Sequence, residues 1–407
     1  MYSLSEKITI VLSTLLFASF TVLNKTSFSS IGVLIIAVLM MFFHCQHSGW
    51  RLPKKIYSFQ ISMILFAIFG LLSMVWSQNP KDALDKSMSI IEICACMTFV
   101  YWCHKDFDSM EPTILSIIWG GYIIAVYYFF VYGGISLAIQ NAEEGIREGV
   151  DFANINAIGR VMAIVIVLNI YMLMHSSKKR LYIGIPLPII ALISTMSRTP
   201  FVEVIFGIIL LAILNGIKNK RVSNVVFKIV LSAIFIYLVY LVIKDLPILK
   251  GVTNRMASLI NLFSNSGSAD SSAIMRQRMI ETGWRLFKSN PILGIGIGNA
   301  HYYASGLISK NTYLHNNYVE LLASGGIIGT YLYYRIHIKL IINLRKSYKI
   351  IDDSCMLCIV MLLMLLLADY GCVSYYYKEI YYYFTFCYIC LDKSYKNEEQ
   401  VVPLEEI

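Results

Sequence analysis

One histidine and three arginines have the types and placement to do chemistry. His315-Asn316, nine residues, Gly326, two residues and Gly329 stand where a long polar loop re-enters an otherwise apolar chain. An unperturbed imidazole titrates at about pH 6.5, so His315 can serve as a general base. The Asn316 amide beside it is expected to orient the ring, and Gly326 and Gly329 to let two helices approach closely. Arg160 lies inside the apolar run Ile155–Met174, where an ionisable side chain is costly and by default points to function. Arg198 occupies the tight turn Ser197-Arg198-Thr199-Pro200, whose proline suits the first turn of the next helix. Arg276, in Met275-Arg276-Gln277-Arg278, precedes an amphipathic stretch from Met279 to Phe287. Guanidinium groups gathered on one side of a membrane could form a fork-shaped site for a diphosphate.

Each of these residues also has a structural reading. Arg160 could snorkel to the interface or pair with an acid such as Asp151, and Arg198 could be a charge that only fixes topology. Arg255, Arg278 and Arg285 are rivals to Arg276 as solvated loop charges. A boundary histidine taken alone is commonly structural. Of the seven histidines, only His301 and His315 fall on the same side as the long loop. His44, His47, His104, His175 and His337 lie at the opposite boundaries, where interface anchoring explains them.

Several motifs carry no chemistry. Pro291 to Asn299 contains Gly294, Gly296 and Gly298 and superficially looks like a dinucleotide fingerprint, but it lacks a preceding strand, a phosphate lysine and a ribose acid. Turn and close-packing glycines fit it better. Cys355/Cys358 and Cys387/Cys390 are CxxC pairs inside apolar runs without His or acidic partners, so they read as buried small hydrophobes. Asp352-Asp353 is adjacent rather than spaced, and neither a Walker motif nor zinc spacing is present. No metal and no cofactor are expected.

The elements that must position these residues are membrane helices. Of 407 residues, 57% are hydrophobic and 14% charged, with mean hydropathy +0.64. A soluble chain is about 45–50% apolar and about 25% charged. The excess falls in blocks long enough to cross or nearly cross a bilayer. About twelve spans are predicted, near residues 8–23, 28–45, 56–76, 87–103, 113–132, 155–174, 181–196, 200–215, 225–243, 317–334, 355–370 and 378–391. The first is expected to be an uncleaved span, because Asn24-Lys25 follows it without a cleavage-type small-residue pattern.

With a cytoplasmic N-terminus, the inner segments hold eighteen basic residues and the short outer loops six. The positive-inside rule therefore predicts both termini in the cytoplasm. The net charge of +9 is then topology and lipid-surface attraction, with no nucleic-acid partner required. The chain divides into helices 1–9 over 1–243, an extracytoplasmic loop over 244–316, and helices 10–12 with a cytoplasmic tail over 317–407. Gly133–Ala153 is a second long outer segment, and Ser264–Ser268 is read as a mobile turn.

These residues resemble the O-antigen ligase and polymerase superfamily of bacterial membrane proteins. The ligase pattern is His, then Asn, Ser or Gln, nine residues, Gly, two residues, and Gly, Thr or Val. His315-Asn316 through Gly326 to Gly329 matches it without a mismatch. Arg276 through Trp284 to Pro291-Ile292-Leu293-Gly294-Ile295-Gly296 is similar to the superfamily's Arg–helix–Pro-x-x-Gly-x-Gly segment. Ser197-Arg198-Thr199 is similar to its Ser-Arg turn, and Asn154-Ile155-Asn156 to its Asn-rich entry to a central span. The similarity covers roughly residues 150–335.

The resemblance implies an all-α polytopic architecture like that of GT-C membrane glycosyltransferases. It implies glycosyl transfer at the outer face of the bacterial cytoplasmic membrane, from a glycan carried on undecaprenyl diphosphate. His315 would be the base, and Arg160, Arg198 and Arg276 the diphosphate ligands. Asn316, Glu320, Gly326 and Gly329 would support them. The reaction implied is inverting and metal-independent. Membrane lipids and the lipid-linked oligosaccharide are the expected partners, with a chain-length regulator as a further candidate.

Three activities fit. The residues between His315 and Gly329 look most like repeat-unit polymerases of capsule and O-antigen loci. The alternative is a ligase that moves finished glycan to lipid A core during lipopolysaccharide assembly. A lipid-linked oligosaccharide flippase is the third, disfavoured by the absence of repeat symmetry and by candidates gathered at one face instead of the midplane.

Overall fold

The computed structural model describes residues 3–24, 29–48, 58–144, 152–175, 183–221, 223, 271–305, 313–346 and 352–401. Local punctuation in the sequence sets most helix ends. Helix α1 (Leu4–Val22) opens on a capping box in which the Ser3 hydroxyl and the Glu6 carboxylate satisfy each other's backbone amides. After α2 (Ser29–Ser48) and α3 (Ser58–Leu72), helix α4 (Pro80–Lys105) begins with proline in its first turn and Asn79 as its cap. Helix α5 (Glu111–Tyr132) ends at Gly133 in the left-handed conformation, φ +92°. A short helix, α6 (Ile135–Glu144), follows within the outer segment expected over 133–153.

Helices α7 (Ile155–His175), α8 (Pro186–Thr195) and α9 (Arg198–Lys218) come next. Beyond lie α10 (Ser271–Ser289), α11 (Ala300–Ser305) and α12 (Asn317–Lys346), and finally α13 (Asp353–Gly371) and α14 (Lys378–Val401). Among the described residues, six segments are long and apolar enough to cross a membrane: Leu4–Val22, Ser58–Val75, Glu111–Tyr132, Ile155–His175, Arg198–Lys218 and Asp353–Gly371. The protein is an all-α membrane protein. Every predicted span except 225–243, which lies outside the described residues, coincides with a helix. Residues 145–151 and 224–270, with Asp151, Arg255 and the Ser264–Ser268 turn, also lie outside them.

Two sets of polar contacts mark the ends of the bundle. At one, Lys378 pairs with Glu92 at 2.8 Å, the Asn79 amide donates to Asn299 Oδ1 at 2.8 Å, and the Ile297 amide donates to Ser73 Oγ at 3.1 Å. At the other, Asp353 binds Lys218 at 2.5 Å and His175 at 3.2 Å, and Lys393 Nζ donates to the Lys105 carbonyl at 2.7 Å. The N-termini of α4, α7, α9, α12 and α14 gather at the first end. Successive long helices therefore alternate in direction, as membrane re-entry requires. Helix α7 is the most enclosed span, packed against α5, α8 and α9.

Three expectations need correction. The span expected over 181–196 is a helix of ten residues, about 15 Å long and too short to cross a bilayer alone. Gly184, Pro186 and Pro188 delay its start. The helix carrying the Met279–Phe287 stretch begins earlier than expected, at Ser271, and so takes in Arg276. His104 and His337 are buried in the bundle, not anchored at its surface. His104 bridges Ser13 Oγ (2.7 Å) and Thr113 Oγ1 (2.9 Å), while His337 packs among Tyr333, Tyr334 and Phe384. All nine cysteines are buried, as expected for small core residues.

Candidate active site

The glycine motif behind His315 interlocks a loop with a broken helix. Helix α12 is interrupted at Gly326, which adopts φ +59°, ψ −160°, a region open essentially to glycine alone. At the break, the amides of Ile295 and Gly296 donate to the Ala323 and Ser324 carbonyls at 3.0 and 2.9 Å. In return the amides of Ile327 and Ile328 donate to the Pro291 and Ile292 carbonyls at 2.9 and 3.2 Å. A Cβ on Gly326 would lie 2.3 Å from the Ile292 carbonyl oxygen. The Pro291–Gly296 run thus closes onto α12 backbone to backbone. Gly329 does serve helix approach, because its position faces the Phe69 ring of α3.

His315 lies two residues before the start of α12, the helix this interlock holds. Asn316 does not orient the imidazole as expected. Its Oδ1 accepts from the Val319 amide at 3.0 Å and its Nδ2 donates to the Tyr370 carbonyl at 3.2 Å, so it caps the helix. His315 itself has φ +57°, an uncommon conformation for a side-chain-bearing residue. The half-buried imidazole lies against the Tyr313 ring, with centroids 4.3 Å apart. Glu320, one turn into the helix, is buried and accepts from the Leu314 amide at 2.9 Å. The turn holding the histidine is therefore bonded on both sides of the ring.

Hydrogen bonds carry this turn to the other predicted elements. Asn154 Nδ2 donates to the Tyr313 hydroxyl at 2.8 Å, and Asn156 bonds the same phenol. Burial pushes the Tyr313 phenol up, against the lowering effect of the Asn154 bond. Asn156 Oδ1 in turn accepts from Ser197 Oγ at 2.8 Å. The Asn-Ile-Asn entry, the Ser-Arg turn and the histidine loop thus form one connected set. Gly159 permits it: a Cβ there would stand 2.9 Å from the Pro200 ring.

Arg160 lies one residue further into α7 and is 3% exposed. Its Nη2 donates to Cys372 Sγ, while Nη1 is buried without a hydrogen-bond partner. Glu203 and Glu379 act on it electrostatically, and the Tyr377 ring centroid is 6.0 Å from its Cζ. Both acids are buried, while Asp151, the partner expected from the sequence, lies outside the described residues. Burial holds the Cys372 thiol up at about 12 despite Arg160, so the thiol rather than the thiolate meets the guanidinium.

Arg198 is the first residue of α9, half-buried directly after Ser197. Arg276 approaches from a different element. Helix α10 packs on α12 through Gly283, whose Cβ position lies 2.3 Å from Val319 Cγ1 and 2.8 Å from Leu314 Cδ1. Met279 belongs to that same buried cluster. Arg276, one turn before Met279, shares its helix face and is half-buried, whereas Arg278 and Arg285 are exposed. That separates Arg276 from Arg278 and Arg285, while Arg255 lies outside the described residues.

Several site residues were missed by sequence reading. Asn317 is fully buried; its Oδ1 accepts from the Ser374 and Tyr375 amides (2.9 and 3.2 Å) and its Nδ2 donates to Asp369 and Tyr334 (3.2 and 3.1 Å). It anchors the segment that presents Tyr376 and Tyr377, whose ring centroids lie 4.9 Å apart. Burial pushes both phenols up. Lys86 places its ammonium 3.8 Å from the Tyr376 centroid. The repeated Asn316-Asn317 pair was the one available signal, since a buried position needing both an acceptor and a donor suits an amide.

No curated protein matches the chain. Residues 181–334, the segment carrying Arg198, Arg276 and His315, match the family model described as O-antigen ligase, which is consistent with the O-antigen ligase and polymerase superfamily.

Proposed function

We propose that the protein is a polysaccharide repeat-unit polymerase working at the outer face of the cytoplasmic membrane. Its donor is a glycan on undecaprenyl diphosphate, and its acceptor is a sugar hydroxyl of another lipid-linked repeat unit. The observation carrying this reading is the junction of Tyr313–His315 with Asn154, Asn156 and Ser197, beside a buried Arg160 that keeps an unpartnered N–H group. An unmade hydrogen bond at a buried charged donor is costly, and an anionic ligand would satisfy it.

The chemistry is one displacement. His315 takes the proton of the acceptor hydroxyl as its oxygen attacks the anomeric carbon. The bond from that carbon to the diphosphate oxygen breaks, and the diphosphate leaves with the electron pair. Arg160, Arg198 and Arg276 meet the charge that develops on it, as fixed cations do most effectively in a partly dry cleft. Attack opposite the leaving group inverts the anomeric centre.

The test is complementation of a deletion strain. Loss of the gene is expected to leave glycan of a single repeat unit on the acceptor, and His315→Ala is expected to restore nothing while inserting normally. Full-length polymer from a folded His315→Ala or Arg276→Ala variant would remove the assignment. Accumulation of long unattached chains in the deletion strain would make the protein a ligase instead. Movement of lipid-linked sugar by purified protein, without glycosidic bond formation, would make it a transporter.

A further inference from the structure

Lys86 lies in the second turn of α4, outside the segment that matches the family model. Its half-buried stem runs past Gly298, where a Cβ would stand 3.2 Å from Lys86 Cγ. The ammonium ends 3.8 Å from the Tyr376 ring centroid. Three carboxylates act on it electrostatically, those of Glu320, Asp82 and Asp85. None of them forms an ion pair with it, and it has no hydrogen bond among the described residues. Two of the acids are otherwise engaged. Asp82 accepts from the Tyr302 hydroxyl at 2.8 Å and lies 3.4 Å from His301 Nε2, while Glu320 holds the Leu314 amide. An ammonium has three donors, and here they meet one aromatic face.

The other side of the same aromatic pair explains what those donors await. Tyr376 stands 4.9 Å from Tyr377, and Tyr377 stands 6.0 Å from the Arg160 guanidinium. Tyr376 also interacts electrostatically with Tyr313, the ring against which His315 packs. Two partly or wholly desolvated cations with unspent N–H groups therefore bracket one pair of rings next to the candidate base. A single carboxylate could reach one of them. A diphosphate carries acceptor oxygens on two linked phosphates and so has more than one group to offer such donors. A lysine is a compact point charge suited to a terminal phosphate oxygen, whereas arginine forks around two.

We propose that Lys86 is a further diphosphate-binding residue, set at the opposite end of the Tyr376–Tyr377 pair from Arg160. This rests on the reading of a lipid diphosphate substrate given above. It makes the binding site bipartite, with one cation from α4 and the others from α7, α9 and α10.

The test uses the full chain in lipid nanodiscs and farnesyl diphosphate as the probe, with affinity read by thermophoresis at fixed salt. Lys86→Gln is expected to weaken binding about tenfold or more, the scale of one lost charge-assisted bond. Lys86→Arg should recover most of it, and Lys81→Gln, an exposed lysine on the same helix, should bind as the native chain does. Equal affinity for Lys86→Gln and the native chain would overturn the proposal. So would a loss that Lys86→Arg does not repair and that accompanies a lowered unfolding temperature, since that pattern marks a structural role. A His315→Ala variant that still polymerises but binds farnesyl diphosphate normally would sink the catalytic reading and leave Lys86 standing. A native chain that ignores farnesyl diphosphate would end both.

Discussion

At the scale of single residues, the site depends on polar groups that each hold several others. Asn317 is the sharpest case, because one buried amide terminates two backbone N–H groups and ties them to Asp369 and Tyr334. Asn317→Ala removes all four bonds without offering water a way in. Each stranded buried donor or acceptor costs about 1–3 kcal/mol, so the variant is expected to lose several kcal/mol of stability. Thermal unfolding in detergent would register it, and a midpoint unchanged from the native chain would contradict the role assigned to Asn317. Activity is expected to fall as well, since the segment freed by the change carries Tyr376 and Tyr377. Asn316 differs in kind: it caps α12 and is replaceable by Ser or Asp at a cost of about 1 kcal/mol or less.

Elements were the most legible level, and the glycines show both the reach of the pattern and its limit. The spacing from His315 to Gly326 and Gly329 marked a site of close approach, but not whether a helix or a loop approaches. Gly326 meets backbone atoms of Ile292 and Gly294, whereas the atoms nearest a Cβ on Gly329 belong to the Phe69 ring. A backbone cannot yield as a side chain can, so the two alanine variants should separate. Gly326→Ala is expected to break the loop–helix interlock and abolish activity. Gly329→Ala should cost about 1–3 kcal/mol, as overpacking does, and combining it with Phe69→Leu should restore part of that. The same double change applied to Gly326 should restore nothing. Equal losses for both glycines, or rescue of Gly326→Ala by Phe69→Leu, would contradict the geometry described. Helix α8 shows a second limit, because an apolar run long enough for a span yields only ten helical residues once Pro186 and Pro188 set its start.

At the scale of the whole molecule, the sequence disclosed apolar runs, their order and the motifs, because those are local patterns. It did not disclose Lys86 beside Tyr376, Arg160 against Cys372, or Asn317 beneath Ser374, because such pairs join distant segments and leave no period behind. What the fold adds is a polarity. Asn79, Lys86, Asn154, Ser197, His315 and Lys378 share one end, while His175, Lys218, Asp353 and Lys393 share the other. Among the described basic residues of the inner segments, Lys105, Lys218 and Lys393 sit with the second set, and an orientation with His315 outside is the expectation the positive-inside rule attaches to that arrangement. Because all nine native cysteines are buried, single introduced cysteines can report on it with little background. Lys81→Cys, exposed at the histidine end, is expected to react with a membrane-impermeant maleimide in intact spheroplasts. Lys220→Cys, exposed at the far end, should react only after the membrane is opened. The reverse pattern would put His315 in the cytoplasm, where nucleotide-activated sugars are at hand and no lipid-carried donor need be invoked. The proposed polymerase would then lose its reason for a diphosphate site, and the cations around Tyr376 and Tyr377 would need another anion.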